Sequence, residues 1–300
     1  MPAWGMGGDG RIILWQNHFF GRVVMGIECG REIICKTQDE FHTVDKIVTG
    51  CAFDIHNEYG RFCDEKIYQE ILAQKCRNSS IEVEREVELG LSYKNFRKIY
   101  RIDLLVDDGI IYELKAVDAL NHYHKQQLIN YLLLADVKHG KLLNFGSASV
   151  EYEFVSTSLS VKDRYNYSVD DREWKAVTEK CAKLKILVFD LLQEWGAFLD
   201  YRLYAEAITF FLGADIVRPV ELYFEGHVVG SQKMVLLDNE TVLHMSAVTR
   251  SFKGHENNIK RFIRHTNIRT VQWINMNHRN IKLKTIKNDS VTNDSVKKRT

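Results

Sequence analysis

Apolar residues along this chain follow two periods. Val44, Ile47, Val48, Ala52 and Ile55 recur three or four positions apart within 39–60, the spacing that gathers one face of an α-helix. After a break at Gly60, "DEKIYQEILAQK" (64–75) resumes that period, which predicts two helices or one kinked at the glycine. The pattern then switches to alternation. "IEVEREVELG" (81–90) reads as a strand, and "YRIDLLVDDGIIYELKAV" (100–117) as a hairpin around a short acidic turn. An amphipathic helix over "HKQQLINYLLLAD" (124–136) and a short buried strand at "GKLLNFG" (140–146) complete an α-β-β-β-α-β order. Periodicity lapses over 156–173, where Ser and Asp accumulate and a linker is expected. Helical spacing returns at Trp174.

The second half echoes the first. "EYGRFCDEKIYQE" (58–70) returns as "EWGAFLDYRLYAE" (194–206), and "REVEL" (85–89) as "RPVEL" (218–222). His124, Tyr131 and Asn144 correspond, at a constant offset of 131, to His255, Phe262 and Asn275. Matches in one order with a slowly drifting offset predict a tandem duplication. The expected organisation is an N-terminal extension outside the fold (1–38), a first domain (39–155), a linker (156–173), a second copy (174–287) and a polar, disordered tail (288–300).

The hairpin carries charge where a strand should be apolar. If Asp108 centres the loop Asp107-Asp108-Gly109, facing residues have numbers summing to 216, so Asp103 opposes Glu113 and Arg101 opposes Lys115. Ile102, Leu104, Val106, Ile110, Tyr112 and Leu114 form one face, and Arg101, Asp103, Glu113 and Lys115 the other. Opposed side chains on antiparallel strands approach to about 5 Å at Cβ, where like charges repel. Two readings follow. A divalent cation such as Mg²⁺ (or Mn²⁺) would suit the paired carboxylates, with waters and a substrate phosphate completing its shell, and Lys115 would orient a water nucleophile or offset developing charge. Alternatively, the four side chains form a solvated ion-pair face without chemistry.

Composition narrows the setting. Three hundred residues at 45% hydrophobic content can build one large or two modest cores. The six cysteines have no C-x-x-C pair or regular spacing, which argues against a zinc site or disulfide framework and for a reducing, cytoplasmic setting. The apolar run "RIILWQNHFFGRVVMGI" is interrupted by Gln16, Asn17, His18 and Arg22, too polar for a membrane span, so no membrane partner is expected. The formal net charge of +1 hides an asymmetry: 14 basic against 20 acidic residues over 39–155 give −6, and 17 against 11 over 174–287 give +6. Lys253, Lys260, Arg261, Arg264 and Arg269 cluster around one predicted helix of the second copy. That cluster reads as a grip on nucleic-acid phosphates, as a solvated face, or as a surface that docks on the acidic first copy.

Glu65-x-x-Tyr68, "RID", "YELKAV", Gln127-x-x-x-Tyr131 and "LLNFG" fall in one order over roughly 44–155. This stretch resembles the GxxExxY family, a branch of the PD-(D/E)XK nuclease-like superfamily. The resemblance implies an α/β, restriction-endonuclease-like αβββαβ core with a mixed sheet flanked by helices, here followed by a degenerate second copy. It further implies Glu65, Asp103 and Glu113 as ligands of Mg²⁺ (or Mn²⁺), Lys115 as the catalytic lysine, and Gln127 and Tyr131 as active-site supports. The substrate implied is nucleic acid, DNA before RNA. Phe62 departs from the pattern, standing where the family's name motif begins with Gly. In the second copy Tyr201, Met234, His244, Ser246 and Asn258 replace Glu65, Asp103, Glu113, Lys115 and Gln127, so that copy is expected to be inactive. The function expected is a metal-dependent nuclease. The alternative is a non-catalytic nucleic-acid-binding or protein-interaction scaffold that keeps its acidic cluster for stability.

Overall fold

Thr37 starts the first long helix. Its hydroxyl accepts from the Glu40 N–H, and the Glu40 carboxylate accepts back from the Thr37 N–H at 2.7 Å, a capping box that opens α1 (Gln38–Tyr59). Gly60 ends it at φ 68°, a left-handed conformation that costs a glycine little, and α2 (Glu65–Asn78) follows from an Asp64 N-cap. In the computed structural model, which describes residues 5–6, 12–13, 26–288 and 290, the chain divides into two units. The first unit is 22–163, and the second is 164–300 together with 1–21.

The first unit contains β3 (Ile27–Cys29), β4 (Val83–Tyr93), β5 (Phe96–Val106), β6 (Ile110–Lys115), α3 (His122–Ala135), β7 (His139–Asn144) and β8 (Glu151–Ser156). Its strands lie in the order β3-β4-β5-β6-β7-β8, antiparallel except for the β6–β7 pair. Leu104, Val106, Ile110, Tyr112 and Leu114 pack with Phe41, Val48, Ala52 and Ile55 of α1 and Tyr68 and Leu72 of α2. Leu128 and Leu132 of α3 close on Gly140, which pairs with Ile111. Side chains alternate along a strand, so Glu113 shares the face of Ile111 that α3 covers.

After a short helix, α4 (Val161–Arg164), the second unit contains β9 (Ser168–Glu173), α5 (Glu179–Trp195), α6 (Tyr201–Leu212), a 3₁₀ turn (Ala214–Ile216), β10 (Val217–Phe224), β11 (His227–Leu236), β12 (Thr241–Ser246), α7 (Phe252–Ile263), β13 (Thr270–Asn277) and β14 (Asn280–Lys287). Two-residue strands β1 (Gly5–Met6) and β2 (Ile12–Ile13) pair with each other. The six-stranded order is β10-β11-β12-β13-β14-β9, with β12–β13 and β14–β9 parallel. Both units therefore run helix-helix-β-β-β-helix-β-β, with the parallel step between third and fourth strands of the run.

Three expectations differ from the structure at their edges. Part of the 1–38 extension belongs to the first sheet: β3 pairs with β4, Lys36 meets Asp107 at 2.8 Å, and the Ile34 N–H donates to the Asp108 carbonyl at 2.7 Å. A Cβ on Gly109 would stand 1.9 Å from the Ile34 carbonyl oxygen, so only glycine admits that approach. The rest of residues 1–25 lies outside the described residues, β1 and β2 apart. Within the 156–173 linker, "SVDDRE" is the edge strand β9, because its acidic residues meet lysines of β14: Glu173 pairs with Lys282 and Lys284, each at 2.6 Å. In the tail, Asn288 is buried and its Nδ2 donates to the Ile263 and Ile268 carbonyls at 2.8 Å. Beyond it, only Ser290 is described.

Candidate active site

The hairpin holds the register its turn predicts. Leu104 pairs with Tyr112, Leu105 with Ile111 and Val106 with Ile110, around Asp107 and Asp108 at φ 48° and 53°. The β5–β6 ladder then stops, while β5 remains paired with β4 and β6 with β7. Asp103 stands at this opening. Its Oδ2 accepts the Leu114 N–H at 2.7 Å, so a carboxylate takes the place of a ladder acceptor.

Glu113 is 1% exposed and Asp103 8%. This removes the solvated ion-pair face, since charges in contact with water gain little from proximity whereas these are withdrawn from it. Glu113 Oε1 accepts from Lys115 Nζ at 2.6 Å, and Glu113 Oε2 is buried without a hydrogen-bond partner. Lys115 Nζ also lies 3.9 Å from Oε2 of Glu65, the first residue of α2. Arg101 is apart from this group, exposed and paired with Glu88 at 2.8 Å.

Burial pushes the Glu113 carboxyl up to about 8, with the Asp103 charge adding to the rise and Lys115 opposing it. Asp103 is pushed up to about 6, mainly by burial, against the pull of the Leu114 N–H and Lys115. Burial works against the Lys115 ammonium, yet Glu113, Glu65 and Asp103 together outweigh it and raise its pKa. Two carboxyls that disfavour simultaneous ionisation, one with an open lone pair, form a site that a cation would relieve.

Helix α3 supplies the neighbouring wall. Tyr131 is buried, its phenol pushed up to about 12 by burial and by the Glu113 charge, and its oxygen accepts from Gln127 Nε2 at 2.9 Å. Gln127 thus meets the group through Tyr131. His124, which completes a capping box with Asn121, is shifted downward by burial and by the Lys115 charge.

Tyr68 fixes the loop that delivers Glu65. Its hydroxyl donates to the Gly60 carbonyl at 2.8 Å and accepts the Cys63 N–H at 3.1 Å, while its ring stacks on Phe145 at 4.4 Å. Phe62 of this loop is 89% exposed, with the Arg61 guanidinium over its ring. On the other side of the site, Asn144 pairs with Lys115 across the parallel step. Asn144 Oδ1 accepts the Val117 N–H at 3.0 Å, and its Nδ2 donates to the Val117 carbonyl at 2.8 Å, clamping the chain just after Lys115.

Sequence reasoning missed Glu86. It lies between the pairs Arg85–Leu104 and Val87–Ile102, across from Asp103, at φ 53°, and its charge raises both Asp103 and Tyr131. A left-handed non-glycine inside a strand costs on the order of 1 kcal/mol or more and re-aims its side chain. The signal was available: the tight Lys94-Asn95 turn gives β4 and β5 a register summing to 189, which sets Glu86 against Asp103.

Among the described residues, no three His, Cys, Asp or Glu side chains gather into a ready-made ion site. The ammonium of Lys115 lies among the carboxylates, so the expected three-ligand set is not assembled, and Glu65 does not close it. Asp103, Glu113 and the free Oε2 do fit Mg²⁺ or Mn²⁺ held by two carboxylates, since a Mg²⁺ shell is commonly one or two carboxylates, waters and substrate phosphate.

The basic cluster of the second unit is less uniform than its composition implies. Lys260 pairs with Glu256 at 2.8 Å and Arg269 with Glu240 at 3.0 Å, which removes both from a free cationic surface. Lys253, Arg261 and Arg264 are exposed, with no acidic partner among the described residues. On β12, His244 Nε2 lies 2.9 Å from His255 Nε2, and burial followed by the His255 charge pushes His244 down to about 4. Ser246 donates to Asn275 Oδ1 at 2.7 Å and accepts from Trp273 Nε1 at 2.9 Å.

A family model described as the PD-(D/E)XK nuclease superfamily matches residues 42–155. The two mixed sheets flanked by helices are consistent with a fold of that kind, and the matched domain points to nuclease-like function, a nucleic-acid partner and the divalent metals such nucleases generally use. A solved structure described as the crystal structure of SSO0001 is similar at 18% sequence identity over 42% of this chain and 80% of its own, with a TM-score of 0.23. No curated protein matches the sequence. Among the described residues, no helix is long and apolar enough to cross a membrane.

Proposed function

We propose that the first unit hydrolyses phosphodiester bonds of nucleic acid, DNA before RNA, with Mg²⁺ or Mn²⁺ held by Asp103 and Glu113. The observation that carries this reading is the buried, partnerless Oε2 of Glu113 beside a second buried carboxylate. The metal, when bound, lowers the pKa of a water nucleophile and neutralises phosphate charge. Lys115, 2.6 Å from Glu113, orients that water or offsets charge developing on the phosphate oxygens. Tyr131 keeps its proton at neutral pH, and the Gln127 amide fixes its oxygen, so the phenol acts as an oriented donor. Glu65, adjoining Lys115, assists as a further carboxylate from α2.

The finer assignments belong to the same reading: the GxxExxY branch, a cytoplasmic setting, and a second unit that is a duplicate without the chemistry. The duplication is supported by paired details. Tyr204 donates to the Gly196 carbonyl at 2.7 Å as Tyr68 does to Gly60, and Asn275 clamps Val248 as Asn144 clamps Val117. His244 and Ser246 then stand for Glu113 and Lys115, a pair with no affinity for a hard cation.

The test is incubation with linear and circular DNA and RNA in Mg²⁺, Mn²⁺ or EDTA. Cleavage is expected with metal alone and is lost, by about a hundredfold or more, in Asp103→Ala and Lys115→Ala. Metal-dependent cleavage that survives in both variants, or no cleavage of any substrate, overturns the reading.

A further inference from the structure

We infer that the second unit binds the phosphodiester backbone of a nucleic-acid strand in the cavity at the start of α7. The inference rests on the reading of that unit as an altered copy and adds to it a ligand and a place.

The cavity has a volume of about 360 Å³, and its polar lining consists of Arg250, Ser251, His255, Asn257, Asn258 and Arg261. All of these can donate hydrogen bonds, and none is a carboxylate. Two other cavities in this unit have an acidic side chain in their walls, Glu221 in one and Glu256 in the other. Arg250 and Arg261 are exposed and have no acidic partner among the described residues, whereas Lys260, next in sequence to Arg261, is neutralised by Glu256. A guanidinium presents a planar fork of donors that matches phosphate oxygens, so two free arginines facing one hollow define an anion site rather than a generally basic surface.

The position sharpens the argument. Asn275 holds Val248 by the same pair of hydrogen bonds with which Asn144 holds Val117, so the chain leaves both sheets at the same point. From there the constant offset of 131 sets Arg250 at Ala119 and Arg261 at Asn130, placing cations where the first unit has neutral side chains. The hollow thereby gains two cations and has no carboxylate in its lining, which favours a phosphate. His255, in its lining, lies 2.9 Å from His244, the residue at the place of Glu113, and 5.3 Å from the Trp273 ring centre.

The experiment is fluorescence anisotropy of the full-length protein with a labelled single-stranded oligodeoxynucleotide, in EDTA, across a salt series. Arg250→Ala combined with Arg261→Ala is expected to weaken binding by about tenfold or more and to reduce the slope of log K against log salt by about 1 to 1.5, since each single-strand phosphate contact contributes about 0.7. Replacing both by lysine, which keeps the charge but not the fork, gives an intermediate loss. Lys180→Ala, which removes one exposed charge from α5, leaves affinity and slope unchanged. Wild-type affinity in the doubly substituted, normally melting protein overturns the inference. So does no binding by wild type at low salt, or competition by inorganic phosphate as effective as that by unlabelled oligonucleotide. Asp103→Asn in the same assay keeps binding while losing cleavage in Mg²⁺. Failure of the nuclease reading alone would leave wild type binding without cutting, so the two outcomes are distinct.

Discussion

Glu113 enters the fold with one oxygen hydrogen-bonded and the other without a donor, which destabilises the metal-free protein whenever the carboxylate is charged. The pH dependence follows. Its pKa is raised from an ordinary 4.5 to about 8, and that of Asp103 from 3.8 to about 6, so between these limits the folded state holds more protons than the unfolded one. Stability from these groups is fully present below about pH 4 and is lost as pH rises towards 8. The melting temperature in EDTA should therefore fall across that window, and Glu113→Gln should flatten the fall and raise stability at pH 8 by roughly 1–3 kcal/mol. Stability that climbs with pH over the window, or a Glu113→Gln protein less stable than wild type at pH 8, would contradict the account. Mg²⁺ should raise the wild-type melting temperature at pH 8 and leave that of Asp103→Ala unchanged, because only a ligand bound to the folded state stabilises it. Asp103, Glu113 and Lys115 were legible as a group because a three-residue acidic turn fixes the register. Their burial was not, since alternation in one strand says nothing of what covers the second face.

At the scale of elements, α1 is stapled to the first sheet by a buried ion pair on the face away from Glu113. Lys141 Nζ, 4% exposed as a residue, donates to Asp45 Oδ2 at 2.7 Å and Thr49 Oγ1 at 2.8 Å, and Tyr112 donates to Asp45 Oδ1 at 3.0 Å. Removing one partner strands the other charge in the interior. Lys141→Met alone should cost about 3–5 kcal/mol in denaturant unfolding, and pairing it with Asp45→Leu should recover most of that. Equal losses in the single and double variants would show the pair to be uncoupled. The two helices around Gly60 and the hairpin were legible from periodicity, whereas strand β9 was not. A strand whose acidic side chains pair with lysines across a sheet edge has the composition of a linker. Nor does periodicity mark where a ladder stops, so the fork between β5 and β6 and the left-handed backbone of Glu86 come only from the fold, although the β4–β5 turn already sets Glu86 against Asp103.

For the whole molecule, the repeated element order gives physical content to three short sequence matches. Two motifs found in both units hold backbone: the tyrosine hydroxyl on the glycine at the helix break, and the asparagine clamp after the third strand. Losing either leaves buried main-chain groups without partners, so Tyr68→Phe should lower stability by about 1–3 kcal/mol. Differential scanning calorimetry reads that loss, and an unchanged melting profile would remove the explanation for the shared tyrosine. β12 ends on His244-Met245-Ser246 where β6 ends on Glu113-Leu114-Lys115, so the two units share scaffold groups and differ in the groups that would hold a cation. The most direct measurement is single-turnover cleavage of linear DNA at saturating Mg²⁺ by wild type and by Glu113→Gln, which keeps the shape of the side chain and removes its charge. A fall of about a hundredfold or more is the result expected if Glu113 holds the metal. Cleavage by Glu113→Gln at the wild-type rate would contradict it.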